Sequence, residues 1–450
     1  MLRPGSSGDF RFVAGAAHAG GAFVRGSRAM SLSTAIDPRS LPASVTRAPA
    51  ALPPPMLTWG IFILGVTAIL LGSFVGSGGA YLFLGMWAML GLAYGRGCLA
   101  LLTDTPRVLW AFPFLALAST LWTQSIHDTL KFSLEFVATV GCAVLAASLL
   151  KPRALLSALS CCLVAVAILS VVFGKQSVDP LTGSSAFVGV FESKNQLGFF
   201  TSLMLLAAVA LLIDKGQRLP VRLLGLLALV LSLPLLVMTR SGTAMVSAVL
   251  ATLVMIANLV LSRLSRFERA RLLCVAAFCL LPIAILLLVA GDDVSALLLG
   301  AMGKDATLTG RTLLWAHALQ LIPQHPLFGV GYQAFWRQDT VQAESLWFEF
   351  HVLSRQGFHF HSTYFETAVE LGWVGAGVLV ATLLGTFGAL IRWSWRSRSV
   401  TASFFTAMMF CLLTRSFVEV DVLMQFQIGA FTLFIAATYA ARQPLEEDAS

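Results

Sequence analysis

The sequence predicts an all-α polytopic membrane protein with about twelve transmembrane helices and one long outer loop, and three observations carry that prediction. The chain is 57% apolar and 12% charged, with a mean hydropathy of +0.83, which no soluble domain of 450 residues sustains. Apolar runs near the ~20 residues needed to cross about 30 Å of hydrocarbon recur along it, and a backbone inside lipid must satisfy its own hydrogen bonds, which favours helices. Between those runs, Lys and Arg gather in alternate short connections.

Residues 1–56 are rich in Gly, Ala, Ser, Pro and Arg, so a disordered cytoplasmic segment is expected there. Its Arg-rich, acid-poor character is also that of a transit peptide, and Met30 could open a shorter chain. The expected spans in 57–290 run from Leu57 to Val75, Tyr81 to Gly95, Val108 to Trp122, Phe132 to Leu150, Leu155 to Phe173, Gln196 to Ile213, Leu223 to Met238, Thr243 to Leu261 and Leu272 to Ala290. A polar stretch over 291–362 interrupts them. Three spans follow within 363–441, from Tyr364 to Ile391, Ala402 to Phe417 and Val422 to Ala440, ahead of a short polar tail over 442–450.

With the N-terminus taken as cytoplasmic, the inner connections hold Arg96 and Arg107; Lys151 and Arg153; Lys215, Arg218 and Arg222; Arg263, Arg266, Arg269 and Arg271; and Arg392, Arg396 and Arg398. The outer connections are poor in basic residues, apart chiefly from Lys131, Lys175, Lys194 and Arg240. Both termini then lie inside and the loop 291–362 outside. The net charge of +8 is mostly this orientation signal, so no nucleic-acid partner follows from it. All seven cysteines lie in or beside apolar runs, where a thiol is a small hydrophobe, and they imply neither disulfides nor a metal site.

On that topology the polar motifs converge on the outer face. Glu192, Lys194 and Asn195 stand at the mouth of the sixth span, Arg240 in the turn between the seventh and eighth, and Arg311 and His361 in the long loop. Arg415, Glu419 and Asp421 cluster between the last two spans, and Trp122 ends the third. Charges at the edges of spans mark pathways or sites. Each also has a plainer reading: Arg240 as a lipid-phosphate contact, Trp122 as an interfacial anchor, Arg415 with Glu419 as a structural pair one turn apart. His351, His359 and His361 raise a metal reading, but the spacing lacks a helical H-x-x-x-H or a nearby Cys, so no metal ligands are assigned.

The run Thr309-Gly310-Arg311-Thr312-Leu313-Leu314-Trp315, then His325-Pro326-Leu327-Phe328-Gly329-Val330-Gly331, then His361-Ser362-Thr363-Tyr364 and Glu370-Leu371-Gly372, resembles the signature of the O-antigen ligase and polymerase family in order and spacing. Phe191 to Gly198 is similar to the matching outer turn of the exopolysaccharide polymerases in that family. The resemblance covers roughly Leu117 to Ala440. The family usually has Asn after the loop histidine, where this chain has Ser362.

The resemblance implies a membrane glycosyltransferase in the bacterial inner membrane, with the long loop periplasmic. Its donor would be a polyprenyl-diphosphate-linked saccharide and its acceptor a second saccharide, and its other partners the lipid bilayer, a chain-length regulator and a flippase. The residue chemistry fits that expectation. Guanidinium groups match phosphate oxygens in a bidentate fork, which makes Arg240 and Arg311 candidates for holding the departing diphosphate, with Lys194 adding charge. One well-placed donor of this kind is worth about 2.7 to 4 kcal/mol in an enclosed site. His361 would take the proton of the acceptor hydroxyl, with Glu192 or Glu419 as the alternative base. The chain has no P-loop and no obvious acidic metal motif, so no cofactor is expected. The likeness of Phe191 to Gly198 to the exopolysaccharide branch favours a polymerase that joins lipid-linked repeats into exopolysaccharide or O-antigen, while a ligase moving finished polysaccharide onto a lipid A core uses the same donor chemistry. A precursor transporter would place its charges near the midplane and not at one face.

Overall fold

The computed structural model describes residues 51–178, 185–289, 310–355 and 357–443. Most of the expected N-terminal segment, much of the C-terminal tail and the start of the long loop, including Thr309, lie outside the described residues.

Every expected span contains a helix. In order these are α1 (Pro55–Leu70) with its short extension α2 (Gly72–Val75), α3 (Gly78–Ala93), α4 (Gly95–Thr103), α5 (Ala111–Ala118), α6 (Ile126–Leu149), α7 (Pro152–Phe173), α8 (Lys194–Ile213), α9 (Leu219–Met238), α10 (Gly242–Arg263) and α11 (Arg266–Val289). The long loop holds α12 (Arg311–Leu321) and α13 (Val341–Glu349), and α14 (Thr363–Ser397), α15 (Val400–Arg415) and α16 (Ile428–Arg442) follow. Among the described residues six helices are long and apolar enough to cross a membrane, namely α6 to α10 and α14, and α3 with α4 would make a seventh if their 104° bend is one broken span. The 16 residues of α1 or α15 rise about 24 Å, short of a hydrocarbon core of about 30 Å.

Local chemistry sets the helix ends. Ser193, Ser241 and Ser399 cap α8, α10 and α15 by accepting the amides of Gln196, Ala244 and Ala402, which satisfies a donor that the first turn leaves open. Pro152 opens α7, where its missing N–H costs nothing. Within its most apolar stretch α8 is 78% buried and α9 only 28%. The first is therefore the centre of the bundle, while the second turns Leu223, Leu226, Val230 and Val237 outward. Gly198 lets α8 meet α10: a Cβ there would lie 2.5 Å from that of Ala244.

One small sheet departs from the all-helical expectation. Lys175–Val178 (β1) pairs antiparallel with Ser185–Gly189 (β2), Gln176 opposite Phe187.

The long loop has a core of its own, in which Leu314, Ala318, Ile322, Phe335, Trp347 and Phe360 pack on Ala368 and Val369 of α14. It is also bonded into that helix. At Gly372, with φ +65°, the α14 helix breaks, which removes the bonds that Trp373 and Val374 would give to the carbonyls of Val369 and Glu370. The loop replaces both. Trp373 and Val374 donate to the carbonyls of Pro326 and Leu327 (2.8 and 3.2 Å), and the amides of Val330 and Gly331 donate to the carbonyls of Val369 and Glu370 (3.2 and 2.8 Å). The four backbone groups freed by the break are thus taken up by residues 326–331, as buried backbone requires. Trp122 secures the same segment, its indole donating to the Phe328 carbonyl at 2.8 Å.

Candidate functional site

Where the helix ends meet the loop, a cavity of about 560 Å³ opens. One wall is apolar, from Ile69 and Leu70 at the end of α1 and from Phe199 and Phe200 of α8. The polar part of the lining is Glu192, Asn195, His359, His361, Arg415, Glu419 and Asp421. Segments distant in sequence supply these groups because the α8 cap, the loop end before α14 and the α15–α16 connection come to one place.

Glu419 sits at the centre of the charges. It is 5% exposed, and its Oε1 accepts Arg311 Nη2 at 2.5 Å. Its Oε2 lies 3.7 Å from His361 Nδ1, beyond hydrogen-bond range but close enough for charges to couple. Burial pushes the Glu419 carboxyl up, but His361 and the guanidiniums of Arg311 and Arg415 outweigh it and hold the group at about 2. It is a carboxylate at any physiological pH.

Arg415, 1% exposed, binds Asp421 through Nε at 2.6 Å and Nη2 at 3.2 Å and lies over the Phe199 ring at 4.9 Å. Its Nη1 is buried without a hydrogen-bond partner. Such a donor carries a desolvation cost unless something supplies an acceptor.

The two loop histidines differ. His359 Nδ1 accepts the His361 amide at 3.1 Å. Burial first, then the neighbouring His361, pushes the His359 imidazole down to about 3, so it is neutral and its proton sits on Nε2. His361 has φ +51° and an Nδ1 with no hydrogen-bond partner. Ligand atoms of His359, His361 and Glu419 lie within 4.8 Å of one another, close enough to hold a metal ion.

The structure gathers most of the expected site residues, but not all. Glu192, Asn195, His361, Arg415 and Glu419 line the cavity, and Arg311 stands behind Glu419. Asn195 accepts the Ser241 hydroxyl at 2.9 Å, which brings the turn after α9 to the cavity. Arg240, one residue earlier, is exposed and donates to the Ser185 carbonyl of β2 at 3.2 Å, outside the lining. Lys194 opens α8 but does not line the cavity, and Trp122 serves the loop anchorage described above. Sequence reasoning did not single out His359 or Asp421 as working parts, nor Glu366, a buried acid at the start of α14. Glu366 and Glu370 are acids inside an apolar span, a signal that points to function by default.

A family profile described as O-antigen ligase matches residues 227–380, which contain Arg240, Arg311 and His361. The chain is also 32% identical over 391 residues to the exopolysaccharide production protein ExoQ of Rhizobium meliloti (strain 1021), an alignment covering 83% of this chain and 87% of that protein. With the motifs, the helical architecture and the cavity in agreement with that likeness, this chain belongs to the O-antigen ligase family.

Proposed function

We propose that the protein is a membrane glycosyltransferase that polymerises polyprenyl-diphosphate-linked oligosaccharide repeats into exopolysaccharide on the periplasmic face of the bacterial inner membrane. The observation that carries this reading is the cavity itself. Apolar Ile69, Leu70, Phe199 and Phe200 share one space with two histidines, three carboxylates and Arg415, whose Nη1 has no hydrogen-bond partner, a mixture that suits a substrate with a lipid tail, a diphosphate and a sugar. The relative's role in exopolysaccharide production favours a polymer product, and the ligase description of the family keeps transfer to a lipid A core as the second reading.

In the reaction, the acceptor hydroxyl oxygen attacks the anomeric carbon, the bond from that carbon to the diphosphate oxygen breaks, and polyprenyl diphosphate leaves with the electron pair. His361 takes the hydroxyl proton. A positioned base of this kind contributes about 10² to 10⁴ in rate, and carboxylate Glu419 beside it stabilises the imidazolium that forms. Arg415, through its unpaired Nη1, faces the developing diphosphate charge, and Arg311, paired with Glu419 behind the lining, adds positive potential to it. Arg240 serves a donor that extends past Asn195.

The reaction proceeds without a divalent metal. A metal-bound histidine normally donates through its second nitrogen, whereas His359 Nδ1 accepts a backbone amide and leaves only a protonated Nε2. Glu419, the third group of the cluster, already holds a guanidinium.

In this reading twelve helices cross the membrane with both termini cytoplasmic. A reporter fused after Gln338 then reads periplasmic and fusions near Arg266 and Arg396 read cytoplasmic. The direct test gives the purified protein a lipid-linked repeat in the presence of a chelator. Chain lengthening by whole repeats is expected; activity that disappears with chelation and returns with one metal overturns the metal-free chemistry, and transfer only to a lipid A core selects the ligase.

A further inference from the structure

Glu366 lies in the first turn of α14, 2% exposed, and both of its carboxylate oxygens are engaged away from the cavity. Oε1 accepts the indole N–H of Trp336 at 2.8 Å, and Oε2 accepts the backbone amide of Phe360 at 2.7 Å. The Trp336 ring packs on the Phe360 ring with centroids 4.9 Å apart, so one acid pins both members of that pair.

Phe360 stands between the two site histidines. The next residue, His361, has the left-handed φ of +51°, which a side chain with a Cβ adopts only when its surroundings enforce it. On its C-terminal side Thr363 provides that enforcement, since its amide donates to the carbonyls of Ser416 (2.9 Å) and Glu419 (3.1 Å) and its hydroxyl to the same Glu419 carbonyl (2.7 Å). On the N-terminal side, the Phe360 amide on Glu366 is the matching anchor. Both Glu366 bonds need an acceptor, so the carboxylate is required in full: an amide would turn one oxygen into a donor facing a donor.

We propose that Glu366 is a positioning residue that holds His361 in its working geometry through the Phe360 amide. The proposal rests on the glycosyl-transfer reading for what that geometry achieves.

The test compares wild type, Glu366→Gln, Trp336→Phe, His361→Ala and the double variant His361→Ala/Glu366→Gln in nanodiscs. Turnover and donor affinity for a lipid-linked repeat are read on every preparation, and the rate at which diethyl pyrocarbonate modifies His361 itself, resolved from His359 on the same peptide, on the three that retain it. Glu366→Gln is expected to speed His361 modification several-fold and to lower kcat by about 10- to 100-fold, the scale on which a misplacement of about 1 Å acts, with donor affinity within twofold. Trp336→Phe keeps the Phe360 bond and loses about threefold or less. The double variant turns over no more slowly than His361→Ala.

Unchanged modification in Glu366→Gln overturns the proposal whether or not the donor is used. So does faster modification with normal kcat, a parallel loss of donor affinity, or a Trp336→Phe loss as large as that of Glu366→Gln. A wild-type protein that binds no lipid-linked donor instead removes the glycosyl-transfer reading, while the modification rates still decide whether Glu366 holds His361.

Discussion

Arg311 and Glu419, 108 residues apart in sequence, meet at 2.5 Å in a site where the arginine is 8% and the glutamate 5% exposed. The pair ties the start of α12 to the connection between α15 and α16. It also fixes the charge of Glu419 beside His361, so the carboxylate remains available to stabilise a proton on the imidazole without taking it.

Removing one partner of a buried ion pair leaves the other uncompensated, at a cost of about 3–5 kcal/mol, whereas replacing both is often close to neutral. Arg311→Met is therefore expected to lower the unfolding temperature in detergent. Arg311→Met/Glu419→Gln should recover most of that loss without recovering turnover. Equal stability of the single variant and wild type would show that the contact carries no load.

The unpaired Nη1 makes Arg415 the stronger donor-binding candidate. Arg415→Lys keeps a charge for Asp421 but removes Nη1. Hydrogen bonds to charged groups are worth about 1.5–3 kcal/mol, so donor affinity is expected to fall by about 10- to 100-fold. Arg240→Ala, outside the lining, should cost less. Affinity measured for both variants against one lipid-linked repeat decides the order, and a larger loss at Arg240 reverses the assignment.

His359 gives the site a specific acid sensitivity. Its imidazole is neutral in the fold down to about 3, while an unfolded histidine takes up a proton near 6.5. Below that pH the unfolded state binds more protons, so stability falls as pH drops from about 6.5 toward 3. Glu419 acts in the same direction but lower, its contribution being lost as pH falls from about 4.5 toward 2. Thermal unfolding at pH 7 and at about pH 5 should show a smaller gap for His359→Gln than for wild type, and an equal gap would rule out a neutral His359.

Gly372→Ala places a Cβ 2.3 Å from the backbone of Leu327 at a positive φ and is expected to cost at least about 2 kcal/mol. Gly377, in the same helix with nothing within 4 Å, is the control. Alanine there should be neutral or stabilise by about 0.5–1 kcal/mol, because it only lowers the entropy lost on helix formation. Similar unfolding temperatures for both variants would deny the loop its hold on α14.

Apolar length made the helices legible, since lipid and bundle core both demand it. The helix α4 was not, because Arg96 and Arg107 read as a connection between spans, and a window of about 20 residues passes over helices as short as α12 and α13. The charged residues at span ends pointed to His361, Arg311, Arg415 and Glu419, which do meet. Arg240 shared their sequence signature but turns to β2. No pattern in one sequence says which way an arginine in a three-residue turn will face. The His325–Gly331 and Glu370–Gly372 motifs were read as family marks. Their contacts show backbone exchange, which sequence cannot display because the groups involved are the same in every residue.

That exchange between the loop and the break in α14 also defines what can be transplanted. A loop anchored only at its two ends can be replaced by a relative's loop of similar length. Here the recipient helix would present two carbonyls and two amides shaped for a particular incoming strand of backbone, and a continuous helix would present none. The smallest portable unit is therefore the stretch from His325 through Val374, carrying Gly329 and Gly372 together. Chimaeras cut between the loop and its helix should insert poorly, whereas chimaeras cut outside that stretch should keep the cavity intact.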